Sequence, residues 1–243
     1  MDPIYAQDFT ITENTVDRYG RLKTSMIFYL AQEVAGKHSN ALQVGYDVLD
    51  QKNLFWAITR HRVQISRLPR IGETIRVETW PMPTSRVAYP RSMVAYDQNG
   101  QECFRSISLW VLVDAEKRSM VLPAKSGVTV NGILRGMELE LPNGLLSKSL
   151  SCCRSRTVCF TDLDRNGHMN NTRYLDWVSD LLPSSFHEGH CPREITVCYF
   201  SEAREEQTLD LYWDFLENGS MQVDGYRKNE DKQERIFSAR MAY

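Results

Sequence analysis

The sequence predicts an α+β protein with two similar halves, each a long helix followed by a series of antiparallel strands. Three observations predict this architecture. One segment occurs twice, helical apolar spacing follows each copy, and alternating apolar residues occupy much of the rest of each half. The chain has 243 residues, enough for two domains of roughly 100–150 residues each. We expect a first domain at 1–125, a linker at 126–150 and a second domain at 151–243.

The repeated segment is the clearest sign of duplication. Residues 16–22 read Val-Asp-Arg-Tyr-Gly-Arg-Leu, and residues 163–169 read Leu-Asp-Arg-Asn-Gly-His-Met. A Tyr-Leu pair follows each copy, and further along the chain residues 70–77 correspond to residues 204–211. Matches that recur in the same order indicate a duplicated structural unit.

In the first half, the apolar side chains of residues 24–44 have helical spacing and predict one long helix. Residues 75–80 alternate between apolar and polar side chains, as in a strand with one buried face. Residues 91–96 and 103–113 flank an Asp-Gln-Asn-Gly turn at 97–100, which predicts a β-hairpin.

The second half repeats this order after an irregular connection. Residues 122–150 lose their periodicity and are rich in glycine and proline, so we place the connection there. Residues 174–182 have helical spacing, and residues 209–215 alternate before an Asn-Gly pair at 218–219. The terminal run at 235–243 predicts a further strand.

A polar segment before the second helix is the strongest functional signal. Asp164, Asn166 and His168 alternate along the chain, so an extended or turning backbone would place a carboxylate, a carboxamide and an imidazole on one side. Such residues are also common in helix caps, and Asn171 or Thr172 could serve as the N-cap. A cap needs one such residue and not three, which favours a functional site. This set can supply a general base and hydrogen-bond donors to a negatively charged oxygen.

Residues 164–171 read Asp-Arg-Asn-Gly-His-Met-Asn-Asn and are followed by Tyr174 and Trp177. This pattern resembles the signature of acyl-acyl carrier protein thioesterases, Asp-x-Asn-x-His-(Val/Met)-Asn-Asn-x-x-Tyr-x-x-Trp, and the resemblance extends over most of the chain. It implies a tandem double hotdog fold, in which each half is a long helix wrapped by an antiparallel sheet. It also implies that the C-terminal half carries catalysis.

The resemblance adds a fourth candidate residue. Residues 199–203 read Tyr-Phe-Ser-Glu-Ala, and Glu202 matches the glutamate of the family pattern Tyr-x-x-Glu. Ala203 stands where the family often has a cysteine that was proposed as a nucleophile. The alternative reading of Glu202 is a solvated charge at a strand end. The candidate catalytic set is therefore Asp164, Asn166, His168 and Glu202, with water as the expected nucleophile.

The implied activity is hydrolysis of the thioester of fatty acyl-acyl carrier protein, which releases a free fatty acid and terminates fatty acid synthesis. His168 or Glu202 could take the proton of the water, and direct attack by a carboxylate is a chemical alternative. Other readings stay open: an acyl-CoA thioesterase, a dehydratase of 3-hydroxyacyl thioesters, and a non-catalytic module that binds acyl thioesters.

The first half is expected to hold the acyl chain, because it lacks the polar groups of the second half. The candidate substrate-binding residues are Met26, Leu30, Phe55 and Trp56, although each could equally be an ordinary core residue. A run of basic residues could dock an acidic acyl carrier protein or simply form a solvated face. Its candidate docking residues are Arg60, Arg62, Arg67 and Arg70.

Composition excludes several other classes of function. A net charge of −2 does not indicate a nucleic-acid binder, and no run reaches the roughly 18–20 apolar residues of a membrane helix. The six cysteines lack zinc-binding spacing, so we expect no metal and no cofactor. The N-terminus lacks the features of a secretory signal, which predicts a cytoplasmic protein. The oligomeric state is left open, with a homodimer as one possibility.

Overall fold

The computed structural model describes residues 2–229 and 232–243. They form two compact units. The first comprises the chain up to Lys23 together with Tyr29–Pro142, and the second comprises Thr24–Phe28 and Asn143–Tyr243. Within the described part of the chain, none of the helices has the length and apolar character that a bilayer span requires.

The first half of the chain contains one long helix, whose residues from Tyr29 onward belong to the first unit, and a five-stranded antiparallel sheet with a short sixth strand. Its elements are β1 (Tyr5–Thr10), α1 (Thr24–Ala41), α2 (Tyr46–Asp50), β2 (Leu54–Ile65), β3 (Thr74–Pro81), β4 (Tyr89–Tyr96), β5 (Glu102–Asp114), β6 (Ser119–Val121) and α3 (Pro123–Ser126). Along the sheet the strands follow the order β1-β3-β4-β5-β2, and β6 pairs with β5.

The second unit repeats this plan with shorter helices. Its elements are β7 (Cys152–Thr157), α4 (Arg173–Ser179), α5 (Ser184–Gly189), β8 (Glu194–Tyr199), β9 (Thr208–Phe215), β10 (Met221–Asn229) and β11 (Lys232–Ala242). The strand order β8-β11-β10-β9-β7 is the order of the first unit read from the other end. The predicted duplication is therefore confirmed at the level of sheet topology.

Helix α1 forms where the sequence predicts it and ends three residues early. Its buried side chains, among them Ile27, Leu30 and Val34, recur at intervals of three or four and define one apolar face. Gln43 takes a left-handed φ of 59°, which no helix can continue. The helical pattern that we read to residue 44 therefore stops at Ala41.

The predicted hairpin is confirmed as β4 and β5. The backbone N–H of Asp97 donates to the carbonyl oxygen of Gln101 at 2.9 Å, and Gly100 takes a φ of 76°, which favours glycine. After β6, the short helix α3 begins at Pro123, a residue that suits the first turn of a helix. Residues 127–151 then run as irregular chain up to β7.

Candidate active site

The candidate site is built on a tight turn that follows a short 3₁₀ helix at Phe160–Asp162. One carboxylate oxygen of Asp164 accepts hydrogen bonds from the backbone N–H groups of Asn166 and His168, at 2.8 and 3.2 Å. The backbone N–H of Asp164 donates to the carbonyl oxygen of His168 at 2.7 Å. Gly167 takes a φ of 74°, which glycine adopts without strain. The pattern Asp-x-x-Gly-x therefore specifies this turn locally.

The first unit contains the same turn. Asp17 accepts the backbone N–H groups of Tyr19 and Arg21 at 2.8 and 3.0 Å, and Gly20 takes a φ of 71°. In the hairpin turn after β4, Asp97 likewise accepts two backbone N–H groups, both at 2.9 Å. The turn forms at two places without a histidine, so the contacts of Asp164 are those of a carboxylate that builds a turn.

A second loop, between β8 and β9, brings Glu202 to this turn. The backbone N–H of Met169 donates to the carbonyl oxygen of Ala203 at 2.8 Å, and His168 forms an isolated β-bridge with Arg204. These backbone contacts bring two side chains together, so that Nε2 of His168 lies 3.1 Å from Oε2 of Glu202. The side chain of His168 is 15% exposed and that of Glu202 is 40% exposed. The pair is therefore open to solvent on the side of the carboxylate.

Arg227 of β10 holds the loop that carries Glu202. Its Nη1 donates to the backbone carbonyl oxygen of Glu202 at 3.1 Å and to Oε1 of Gln207 at 2.6 Å. Its Nη2 donates to Oε2 of Glu234 on β11 at 2.6 Å. Gln207 also accepts the backbone N–H of Arg204 at 2.9 Å. No sequence pattern singles out Arg227, because an arginine in an alternating strand carries no signal of its own.

Helix α4 follows the turn, and the motif continues into the first residues of this helix. Oδ1 of Asn170 accepts the backbone N–H and the hydroxyl of Thr172, at 3.0 and 2.9 Å. Thr172 occupies the N-cap position, yet its side chain makes no capping hydrogen bond. Tyr174 is buried with its ring 5.6 Å from that of Tyr199, and burial raises the pKa of its hydroxyl. The motif thus includes Asn170, which binds Thr172 at the start of α4, and Tyr174, which is buried in the second unit.

The four candidate catalytic residues occupy different positions in this arrangement. His168 and Glu202 are in direct contact, and Asp164 is joined to Asn166 and His168 through their backbone N–H groups. Asn166 is exposed, and among the described residues its carboxamide has no hydrogen-bond partner. The structure therefore brings the side chains of His168 and Glu202 into contact and places the carboxamide of Asn166 on the same turn as His168.

The candidate substrate-binding residues are dispersed. Leu30, Phe55 and Trp56 belong to the first unit, whereas Met26 belongs to the part of α1 assigned to the second. Leu30 is buried and the other three are half-buried. The indole N–H of Trp56 donates to the carbonyl oxygen of Val44 at 2.9 Å. An open groove of about 420 Å³ in the first unit is lined by residues 83–84, 123 and 128–132, and so by none of the four.

The candidate docking arginines do not form one free patch. Arg67 donates to the carboxylates of Glu73 and Asp97 at 2.8 and 2.9 Å, and these contacts lower the pKa of both carboxyl groups. Arg60 donates to a backbone carbonyl oxygen at 3.2 Å. Of the four arginines, Arg70 is the one that is largely exposed.

Metal ligands are not clustered in the described chain. Among residues 2–229 and 232–243, no group of three or more His, Cys, Asp or Glu side chains could hold a metal ion. All six cysteines are free thiols, with Cys103 and Cys198 buried and Cys153 and Cys159 exposed.

Comparison with known proteins matches both halves of the chain. Residues 2–124 match the family model of the acyl-ACP thioesterase N-terminal domain, and residues 148–242 match that of the C-terminal domain. A palmitoyl-acyl carrier protein thioesterase, chloroplastic, from Gossypium hirsutum is 24% identical over 224 residues, covering 85% of this chain and 54% of the relative. Oleoyl-acyl carrier protein thioesterase 1, chloroplastic, from Arabidopsis thaliana is 22% identical over 234 residues, covering 85% and 62%. The chain spans about half the length of the curated relatives it matches.

Solved structures share the fold. An acyl-ACP thioesterase from Bacteroides thetaiotaomicron superposes with a TM-score of 0.88 at 21% identity, covering 99% of this chain and 97% of that one. The 12:0-ACP thioesterase from Umbellularia californica superposes with a TM-score of 0.83 at 21% identity, covering 100% and 97%. The predicted tandem hotdog fold is confirmed by this likeness.

Proposed function

The chain belongs to the acyl-ACP thioesterase family, and on that premise we propose that it hydrolyses the thioester of fatty acyl-acyl carrier protein to release a free fatty acid. The observation that carries the proposal is the contact between His168 and Glu202, at 3.1 Å, on a turn that opens to solvent. Imidazole and carboxylate in this contact form an acid–base pair of the kind that activates water.

The proposed chemistry moves one proton through this pair. The oxygen of a water molecule attacks the carbonyl carbon of the thioester, and the His168–Glu202 pair accepts the proton that the water loses. The tetrahedral intermediate then breaks its C–S bond, and the imidazolium donates the proton to the leaving thiolate. Water and thioester are thereby converted to a carboxylic acid and a thiol. The exposed carboxamide of Asn166 is suited to donate a hydrogen bond to the developing oxyanion.

A cysteine nucleophile has no support at the expected position. Ala203 is fully buried, and its carbonyl oxygen accepts the N–H of Met169. In the first unit Pro69 takes the same place, because its carbonyl oxygen accepts the N–H of Leu22. Neither side chain can attack a thioester. We therefore propose that hydrolysis survives alkylation of the cysteines.

The proposed partner is an acyl carrier protein that carries a fatty acyl chain. Curated relatives are named as acyl carrier protein hydrolases, which supports the carrier protein over coenzyme A as the acyl donor. The cytoplasmic location and the homodimer remain predictions.

The test is to incubate the purified chain separately with acyl-acyl carrier protein, acyl-CoA and 3-hydroxyacyl thioesters. Free fatty acid is measured by mass spectrometry, because exposed Cys153 and Cys159 would react with a thiol-sensitive dye. We expect fatty acid from the carrier-protein substrate at higher kcat/KM than from acyl-CoA. Higher kcat/KM with acyl-CoA would indicate an acyl-CoA thioesterase, loss of water without release of fatty acid a dehydratase, and binding without turnover a non-catalytic module.

A further inference from the structure

A guanidinium group supports the loop of Glu202 from the neighbouring strands. We propose that Arg227, acting with Gln207, is a positioning residue that fixes the backbone of Glu202 so that its carboxylate meets His168. The inference rests on the hydrolase proposed above, but the geometric part of it can be tested without turnover.

The contacts of Arg227 join three segments of the second unit. Its guanidinium donates to the carbonyl oxygen of Glu202, to the side chain of Gln207 and to the carboxylate of Glu234. Glu202 lies in the loop and Gln207 at its far end, while Glu234 lies on the adjoining strand β11. Because β10 and β11 are paired from Met221 to Asn229 with one irregularity, between Gly225 and Tyr226, Arg227 ties the loop to a sheet that supports it.

The energetics favour a fixed geometry. The side chain of Arg227 is 18% exposed, and a largely buried guanidinium is costly unless its N–H groups are hydrogen-bonded. Nη1 and Nη2 of Arg227 meet three acceptors at 2.6–3.1 Å, whereas its Nε is buried without a partner among the described residues. The two acceptors that belong to the loop, on Glu202 and Gln207, are met only when the loop lies where it does. Any other loop position would leave donors of Arg227 without these acceptors.

The sheet pairing identifies the position in the first unit that is equivalent to Arg227. Arg76 pairs with Tyr96 there, and Asp210 pairs with Tyr226 in the second unit. The next residues, Asp97 and Arg227, are therefore equivalent positions of opposite charge.

The equivalent loop in the first unit is braced differently. Asp97 binds Arg67, and Arg67 binds Glu73, which corresponds to Gln207. Both Glu73 and Gln207 accept a backbone N–H in the same way, from Arg70 and Arg204 respectively. Position 68, which corresponds to Glu202, is a leucine. In the second unit, Arg227 on a strand thus donates directly to the backbone of Glu202. In the first unit, the equivalent strand position is an aspartate and the equivalent loop position is a leucine.

Arg227 affects catalysis through the position of the Glu202 carboxylate. Misplacing a reacting group by about 1 Å can cost about 10²-fold in rate. Arg227→Lys keeps the positive charge but cannot donate in the same fork to three acceptors. We expect Arg227→Lys and Gln207→Leu each to lower kcat about tenfold while KM changes less than threefold.

Gln207→Glu supplies the conservative rescue. It keeps an acceptor for Arg204 and for Arg227, and Glu73 already occupies the equivalent position in the first unit. We expect it to retain kcat within about twofold of the parent protein. Asp97→Asn is the matched control, because it changes the equivalent strand position in the other unit and should leave kcat unchanged.

The geometric readout is the imidazole of His168, followed by NMR in protein labelled with ¹⁵N-histidine. Donation from Nε2–H to Glu202 selects the Nε2–H tautomer and slows exchange of that proton with water. Glu202→Ala defines the spectrum without this hydrogen bond. We expect Arg227→Lys and Gln207→Leu to shift the His168 resonances towards that spectrum, and Gln207→Glu and Asp97→Asn to leave them in place.

The outcomes separate the two proposals. A parent protein that shows no hydrolysis, with the expected NMR shifts, contradicts the proposed function and supports the positioning role. Hydrolysis with unchanged His168 resonances in both Arg227→Lys and Gln207→Leu overturns the positioning role. Loss of folding in Arg227→Lys, seen by circular dichroism, leaves Gln207→Leu as the deciding variant.

Discussion

The turn at 17–21 and the turn at 164–168 have the same backbone and different chemistry. In both, an aspartate accepts two N–H groups and a glycine takes a left-handed φ, 71° in one and 74° in the other. The fifth residue of the turn is Arg21 in the first unit and His168 in the second. A duplicated scaffold has therefore been kept, and the side chains placed on it decide what each copy can do.

The two turns also differ in where the fifth side chain finds its partner. Arg21 turns back onto its own turn, with Nε and Nη2 at 3.0 and 2.9 Å from Oδ2 of Asp17. His168 instead reaches across to Glu202 on another loop. The first turn is closed on itself by an internal ion pair, whereas the second is joined to a carboxylate that solvent can reach. Only the second arrangement leaves an acid–base pair available to a substrate.

The largest expected effect comes from removing that pair. His168→Ala and Glu202→Ala should each lower kcat for fatty acyl-acyl carrier protein by at least about 10²-fold, the usual scale for losing an acid–base group. Arg21→Ala is the matched control at the equivalent position and should retain kcat. Steady-state kinetics on variants shown to be folded provide the measurement. Near-parental turnover in either site variant would remove that residue from the mechanism.

Asp164 provides the next largest effect, and the kind of substitution decides its role. If Asp164 builds the turn as Asp17 does, Asp164→Asn keeps an oxygen that can accept both N–H groups and should retain kcat within about tenfold. Asp164→Ala removes the acceptor, so it should lose more activity and about 1–2 kcal/mol of stability. Asp17→Ala should lose comparable stability with little loss of kcat.

These variants distinguish a turn builder from a general base. The measurements are kcat and the free energy of unfolding in urea for each variant. A general base at Asp164 would make Asp164→Asn as inactive as Asp164→Ala. That result would return Asp164 to the proton-transfer chemistry.

Local sequence patterns were sufficient to predict several features of the fold and part of the candidate site. The repeat, the long helix and the hairpin were predicted because turns and apolar periodicity are local properties of the chain. Gly20, Gly100 and Gly167 each mark a turn that the structure contains. His168 was singled out by its motif, and the pairing with Glu202 was suggested by a resemblance and not by local pattern.

Other features depend on contacts between distant parts of the chain. Arg227 meets Glu202 across 25 positions, and no periodicity marks either residue for the other. The arginines of the basic run were grouped by sequence, yet Arg67 is held by Asp97, which lies 30 positions away. Long side chains such as those of arginine bind partners that only the folded sheet brings close, so their roles follow from the structure and not from the sequence.

Two buried histidines of the first unit, His38 and His61, have lowered pKa values. His61 on β2 is fully buried, and burial lowers its pKa from 6.5 to about 3. Burial also lowers the pKa of His38, with the nearby charge of Arg91 as the second cause. A folded-state pKa below the unfolded value means that the unfolded chain binds protons first as pH falls. Stability is therefore full above about pH 6.5 and is lost as pH falls towards 3.

We expect the free energy of unfolding to fall by roughly 2 kcal/mol between pH 7 and pH 5 because of His61, since this histidine takes up its proton in the unfolded chain within that window. Urea unfolding followed by tryptophan fluorescence at both pH values measures the change. His61→Gln should flatten this pH dependence, whatever its effect on stability at pH 7. An identical pH dependence in His61→Gln and the parent protein would contradict the role of burial at this site.

The smallest expected effect concerns the choice of acyl chain length, where the two halves of the chain differ in the length of their helices. Helix α1 has 18 residues and α4 has 7, so the longer apolar stripe lies on α1. One methylene group contributes about 0.8 kcal/mol on burial, which corresponds to about a fourfold preference. Met26→Ala or Trp56→Ala should therefore change the relative kcat/KM for acyl chains of different length several-fold, while the His168–Glu202 chemistry stays intact.

The structure sets the controls for that experiment. Trp56 donates to Val44 and packs edge-on against Tyr89 with ring centroids 4.8 Å apart, so its truncation will also cost stability. Trp213→Ala removes the same side chain from β9 of the second unit and should lower stability without changing the chain-length profile. The measurement is kcat/KM over a series of acyl-acyl carrier protein substrates, normalised within each variant. Profiles of Met26→Ala and Trp56→Ala that superpose on that of Trp213→Ala would place the acyl-binding surface on other residues.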